Sequence, residues 1–189
     1  MKIFLTLFVL FFSSSVISKD IADFQIEGIS IGDSLLDYFS EEEILKNKRF
    51  YNEDKKFISS EFLIDSKDYE VVGAYYKNND KIFTIHGIIG FNFYDKINIK
   101  NCYKKTKEII NSFEDFQNDS EWVYDEYEDV DGFFTFNTLN FKSGVIQISC
   151  FDWNLEVEKK FNWTDHLRVK IASKELEEWW ISIDTTYND

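Results

Sequence analysis

Proline is absent from all 189 residues, and the chain holds only seven glycines, two cysteines, two histidines and two arginines. Each scarcity removes a class of explanation. Without proline, and without a Gly/Ser-rich stretch, no linker divides the chain. With Arg49 and Arg168 as the only guanidinium groups and a net charge of −14, the sequence repels phosphate backbones, so nucleic acid is a poor partner. His86 and His166 stand alone in their segments, and no H-x-x-x-H or C-x-x-C occurs. No metal or cofactor set is expected. The nucleophile elbow G-x-S-x-G is missing too.

What is plentiful has a simple cause. Pro, Ala, Gly and Arg, which have GC-rich codons, are scarce, while Ile, Asn, Lys, Phe and Tyr, which have AT-rich codons, are abundant. A strongly AT-rich genome therefore accounts for the 19% aromatic content. Carbohydrate stacking is not needed to explain it.

Only one long apolar run exists, and it lies at the N-terminus. Lys2 gives a positive start, Ile3 to Phe12 is an apolar run in which Thr6 is the one polar residue, and Ser13 to Ser18 is a small polar exit. This is the three-part pattern of a secretory signal peptide, with cleavage expected between Ser18 and Lys19. A membrane span needs about 18–20 apolar residues, and Ser13-Ser14-Ser15 interrupts this run. Residues 1–18 are thus read as signal peptide and 19–189 as one α+β domain. Loss of Lys2 moves the net charge from −14 to about −15. The first cysteine, Cys102, lies far from the cleavage point, so lipid anchoring is not expected. The product should be free in the periplasm or secreted, with no stable membrane insertion.

Along the mature chain, Ser34 caps a short helical turn carrying Leu35, Leu36, Tyr38 and Phe39. Ser40 with Glu43 is a capping box that starts a second short helix. Residues 46–56 read as a charged loop. Strand signals cover Phe57 to Ile64, Tyr69 to Lys77 and Lys81 to Tyr94, with a turn at Asn78-Asn79-Asp80. From Asn101 to Phe116 the apolar period changes to three or four residues, predicting the main amphipathic helix. Three strands follow (122–130, 133–141 and 145–153), with turns at Asp131-Gly132 and Ser143-Gly144. His166 to Ala172 alternates with Leu167, Val169 and Ile171 on one face, and Lys174 to Ile181 reads as a final helix. Short turns between consecutive strands predict an antiparallel sheet with this amphipathic helix packed on it and short helices near both ends.

The cysteines are the most specific pair. Cys102 shares the apolar helix face with Ile109 and Phe113, and Cys150 shares a strand face with Ile146 and Ile148. Both thiols point to one helix–sheet interface, so an exported protein should join them as a disulfide; two free buried thiols are the alternative. The acidic stretch from Asp125 to Gly132 fails as an EF-hand, because placing Gly132 at loop position six puts Tyr127 first and Thr138 twelfth. Asp165-His166 has the residue types of a dyad, but adjacent strand residues point to opposite faces. His86 is expected as a core histidine. Asn118 and Asn162 begin glycosylation sequons.

Three stretches carry a resemblance: Ile26-Glu27-Gly28-Ile29-Ser30-Ile31-Gly32-Asp33-Ser34-Leu35-Leu36-Asp37-Tyr38-Phe39-Ser40, Asn101-Cys102-Tyr103-Lys104-Lys105, and Thr164-Asp165-His166-Leu167-Arg168-Val169. Together they resemble a family of exported proteins of AT-rich marine alphaproteobacteria, which brings no activity, cofactor or catalytic residue. The resemblance implies a Gram-negative cell and a periplasmic address. The opening stretch is also similar to small periplasmic domains of outer-membrane-assembly lipoproteins and β-lactamase-inhibitor proteins, without the former's anchoring cysteine. The expected role is a non-catalytic periplasmic binding or interaction module. Two alternatives stand beside it. One is a small envelope hydrolase with a site near Asp152, Asp165, His166 and Arg168. The other is an inhibitor or accessory protein of another envelope protein, docking through an aromatic patch for which Trp179 and Trp180 are candidates, one of them expected in the core.

Overall fold

The β-branched and aromatic runs pair into one antiparallel sheet of eight strands, and the helices lie against its two faces. The computed structural model describes residues 20–50, 55–113 and 121–184. The leader and the Asn118 sequon therefore lie outside the described residues. In chain order the elements are β1 (Gln25–Ile26), β2 (Ile29–Ser30), α1 (Glu41–Lys46), β3 (Lys48–Arg49), β4 (Phe57–Leu63), β5 (Val71–Lys77) and β6 (Gly87–Tyr94). Then come α2 (Ile99–Ser112), β7 (Trp122–Glu128), β8 (Gly132–Phe141), β9 (Gly144–Trp153), α3 (Leu155–Phe161), β10 (Asp165–Ser173) and α4 (Lys174–Asp184). The sheet runs β3-β4-β5-β6-β10-β9-β8-β7, with β1-β2 as a separate ribbon. The chain is α+β with an antiparallel sheet, as its pattern predicts.

One sheet face carries Ile58, Ala74, Ile88, Leu167, Ile171, Ile148 and Cys150, all buried, and α2 packs on its β6, β10 and β9 strands. Cys102 and Cys150 meet there as a disulfide with Cα atoms 6.0 Å apart, and neither residue is exposed. Tyr69 lays its ring against Gly90 at 2.5–2.8 Å from where a Cβ would sit, filling a gap that no other residue type would leave. The opposite face carries Phe57, Tyr75, Ile89 and Ala172, on which α4 sets Leu176 and Trp179.

Several boundaries differ from the sequence reading. The stretch 81–86 is not strand: the Asp80 carboxylate accepts from Ile82 and Thr84 amides, and Phe83 has φ +52°. β-propensity is blind to both features. Lys48–Arg49 pairs with Ser59 and Ser60 as a short edge strand inside what reads as loop. Residues 155–161 form α3, capped by the Asn154 side chain, which accepts from the amides of Glu156 and Val157. The main helix spans Ile99–Ser112, and residues 114–116 of the expected helix lie outside the described residues.

Candidate functional site

Helix α2 packs on β6, β10 and β9, and β8 and β7 lie beyond these strands in the sheet. This leaves an open cleft of about 480 Å³ between helix and hairpin. Residues at spacing three and four on α2 supply one wall: Tyr103, Thr106, Lys107 and Ile110. Alternate residues of β8 (Phe133, Thr135 and Asn137) form the floor, and Tyr124 of β7 forms the outer lip. The Tyr103 and Phe133 rings meet edge to face at 6.5 Å at one end. Beyond the other end, Phe113 stacks on Phe24 and sets its edge against Trp122. The lining thus joins aromatic faces to a few hydroxyl, amide and ammonium groups, the composition of a small-ligand site.

The cleft wall is held by the disulfide. Thr106 lies 3.3 Å through its Oγ1 from the Cys150 Sγ, so the cleft-facing side of α2 touches the bridge itself. Burial, aided by the carboxylates of Asp152 and Asp165, pushes the Tyr103 phenol up to about 12. Tyr103 is therefore a neutral hydrogen-bonding group at any physiological pH. Tyr124 donates to Glu126 at 2.5 Å, and this bond raises its phenol above the ordinary value.

Behind Tyr103 lies a charged cluster. Lys96 Nζ donates to Asp152 at 2.5 Å and to both Asp165 oxygens at 3.3 Å, and also to the Trp153 carbonyl. Glu158 adds a third acidic neighbour at 3.7 Å. Asp165 is fully buried, and burial raises its carboxyl to about 6 against the opposing pull of the Trp153 amide and Lys96. Burial lowers the Lys96 ammonium, but the Asp152 hydrogen bond and the two aspartates overcome it, leaving Lys96 raised.

The four residues near 150–168 do not share a site. Asp152 and Asp165 face Lys96 beneath α2, whereas His166 and Arg168 project from the other face of the sheet. There His166 stacks on Phe151 at 4.6 Å and 13°, and its Nδ1–H donates to the Thr164 carbonyl at 2.8 Å. Burial lowers this imidazole to about 4. Arg168 lies 4.6 Å over the same Phe151 ring and donates to Gln147. His86 is half-buried, edge-on to Phe57 and 3.8 Å from Glu175. Of the adjacent tryptophans, Trp179 is core at 4% exposure, and Trp180 packs on Tyr75 with Lys170 over its ring. Exposed aromatics of that side include Phe161 and Trp163, stacked at 4.9 Å, with Trp163 reaching Trp153.

The cleft was not legible in the sequence. Its residues come from segments far apart in the chain, and the apolar period of α2 points to the Cys102, Ile109 and Phe113 face, none of which lines the cleft. Among the described residues, no helix is long and apolar enough to cross a membrane. Compared with protein-family models, with curated proteins and with solved structures, the chain matches none.

Proposed function

We propose that this chain is an exported, non-catalytic binding module. Its signal-peptide-like N-terminus and its disulfide support an address outside the cytoplasm, the periplasm of a Gram-negative cell on the resemblance stated above. One observation carries the binding reading: the cleft between α2 and the β7–β8 hairpin. Its eight lining residues offer aromatic faces, two threonine hydroxyls, an amide and one ammonium. Such a set holds a ligand by stacking and hydrogen bonding. A flat apolar body fits between Tyr103, Phe133 and Tyr124, with its polar end toward Thr135, Asn137 or Lys107.

The separation of Asp152 and Asp165 from His166 and Arg168 weighs against the hydrolase alternative, which needs acid, base and nucleophile within hydrogen-bond reach. The cleft reading is tested with anilinonaphthalene sulfonate, whose fluorescence rises in apolar sites. The mature chain should bind it at one site, and Asn137→Trp, which fills the cleft, should weaken that binding at least tenfold with an unchanged circular-dichroism spectrum. Equal binding by the folded variant would place the site elsewhere.

A further inference from the structure

The two edges of the sheet are built differently. β3 closes one side with just two residues, Lys48 and Arg49, too short to template another strand. β7 closes the other with seven residues, paired to β8 in unbroken register from Trp122↔Leu139 to Glu128↔Phe133. That outer edge has no bulge, and proline is absent from the whole chain. Every residue of β7 after Trp122 is exposed, and among the described residues no strand pairs with its outer side. The amide of Glu126 shows where that edge points: it donates to the adjacent Asp125 carboxylate at 2.9 Å instead of to a strand. The alternation of an antiparallel strand aims the amides of Tyr124 and Glu128 the same way.

Edge strands are normally guarded by shortness, bulges, proline or charge. Among the described residues charge is the only guard here, and it has one sign: Asp125, Glu126 and Glu128 on the strand, with Asp129 and Asp131 in the turn beyond it. Negative charge keeps out a second copy of β7, whose carboxylates would meet these, and any acidic strand. It does not keep out a basic one; it attracts it. The cleft lies on one face of the same hairpin with Tyr124 as its lip, so an added strand would place alternate side chains beside that apolar opening.

We propose that β7 is a strand-addition site for an extended basic segment of a partner protein, paired backbone to backbone along 122–128 with its alternate cationic side chains against Glu126 and Glu128, on the face that carries Tyr124. This deepens the binding reading by naming a partner class at the rim of the cleft. Small aromatic probes test the cleft and a peptide tests the edge, so either reading fails separately.

The probe is the blocked peptide Lys-Val-Lys-Phe-Lys-Val-Lys, added to the disulfide-intact mature chain in low salt. Its analogue methylated at every peptide nitrogen keeps the charge and loses every backbone donor. The proposal expects the parent peptide to bind and to slow amide hydrogen exchange at Tyr124, Glu126 and Glu128. The analogue should bind at least tenfold more weakly. Glu126→Pro removes an outward donor without touching the β8 ladder and should weaken the parent tenfold, whereas Glu126→Gln, which removes only charge, should weaken it less. Absence of peptide binding, equal binding of the methylated analogue, or protection located away from β7 would each overturn the proposal.

Discussion

Asp165 and His166 are adjacent in the chain yet occupy opposite faces of β10, one fully buried against Lys96, the other stacked on Phe151. Burial disfavours the charge of each, so the pair titrates in opposite senses. The Asp165 carboxyl rises from 3.8 to about 6, and the stability it contributes below its unfolded value is lost as pH rises to about 6. The His166 imidazole falls from 6.5 to about 4, and its contribution is lost as pH drops through that range. The two effects offset one another in the native chain.

Single substitutions uncover them. Between about pH 4 and pH 6, the stability of Asp165→Asn minus that of the wild type should rise with pH. The same difference for His166→Phe should fall. Each change is expected to reach about 2 kcal/mol across the window. Urea denaturation at half-unit steps of pH reads both slopes, and slopes of equal sign contradict the assignment.

Among the described residues, Lys96 is the only cation between Asp152, Asp165 and Glu158 in that cluster. Replacing it by methionine strands a buried carboxylate. Because the Lys96 side chain is 36% exposed, the cost at pH 7 should be about 2 kcal/mol, below that of a fully buried pair. Near pH 4, below the value of about 6 for Asp165, that carboxylate holds its proton, and most of that cost should disappear. A loss independent of pH would mean that Lys96 acts through packing alone.

The Cys102–Cys150 bridge spans 48 residues of sequence. A loop of that size lowers unfolded-chain entropy by an amount worth about 4 kcal/mol in the chain-entropy model. The double variant Cys102→Ala/Cys150→Ala should lose about that much stability in denaturant titration. Since Thr106 touches the Cys150 sulfur from the cleft wall, the same variant should also bind an aromatic probe more weakly while still folded.

How much of this was visible beforehand depends on the range of the interactions. The disulfide was legible because Cys102 and Cys150 each sit on an apolar face with a clear period, and α2 and β9 were placed by that period. The opposite facing of Asp165 and His166 followed from strand alternation alone. Helix α3 was missed although Asn154 caps it and Lys159 and Lys160 close its last turn; its single buried residue, Val157, leaves no periodic signal. The Lys96–Asp152 contact joins residues 56 apart, and the cleft exists because β8 and β7 overhang α2. Neither distance nor overhang is encoded in a local pattern.

The most direct test of the binding reading is a two-dimensional amide NMR map of the mature, disulfide-bonded chain titrated with indole and with phenylacetate. The account predicts saturable shifts concentrated at Tyr103, Thr106, Tyr124, Phe133, Thr135 and Asn137, with little change around His166 and Phe151. Shifts absent from the cleft, or centred on the His166–Phe151–Trp163 face, would contradict it.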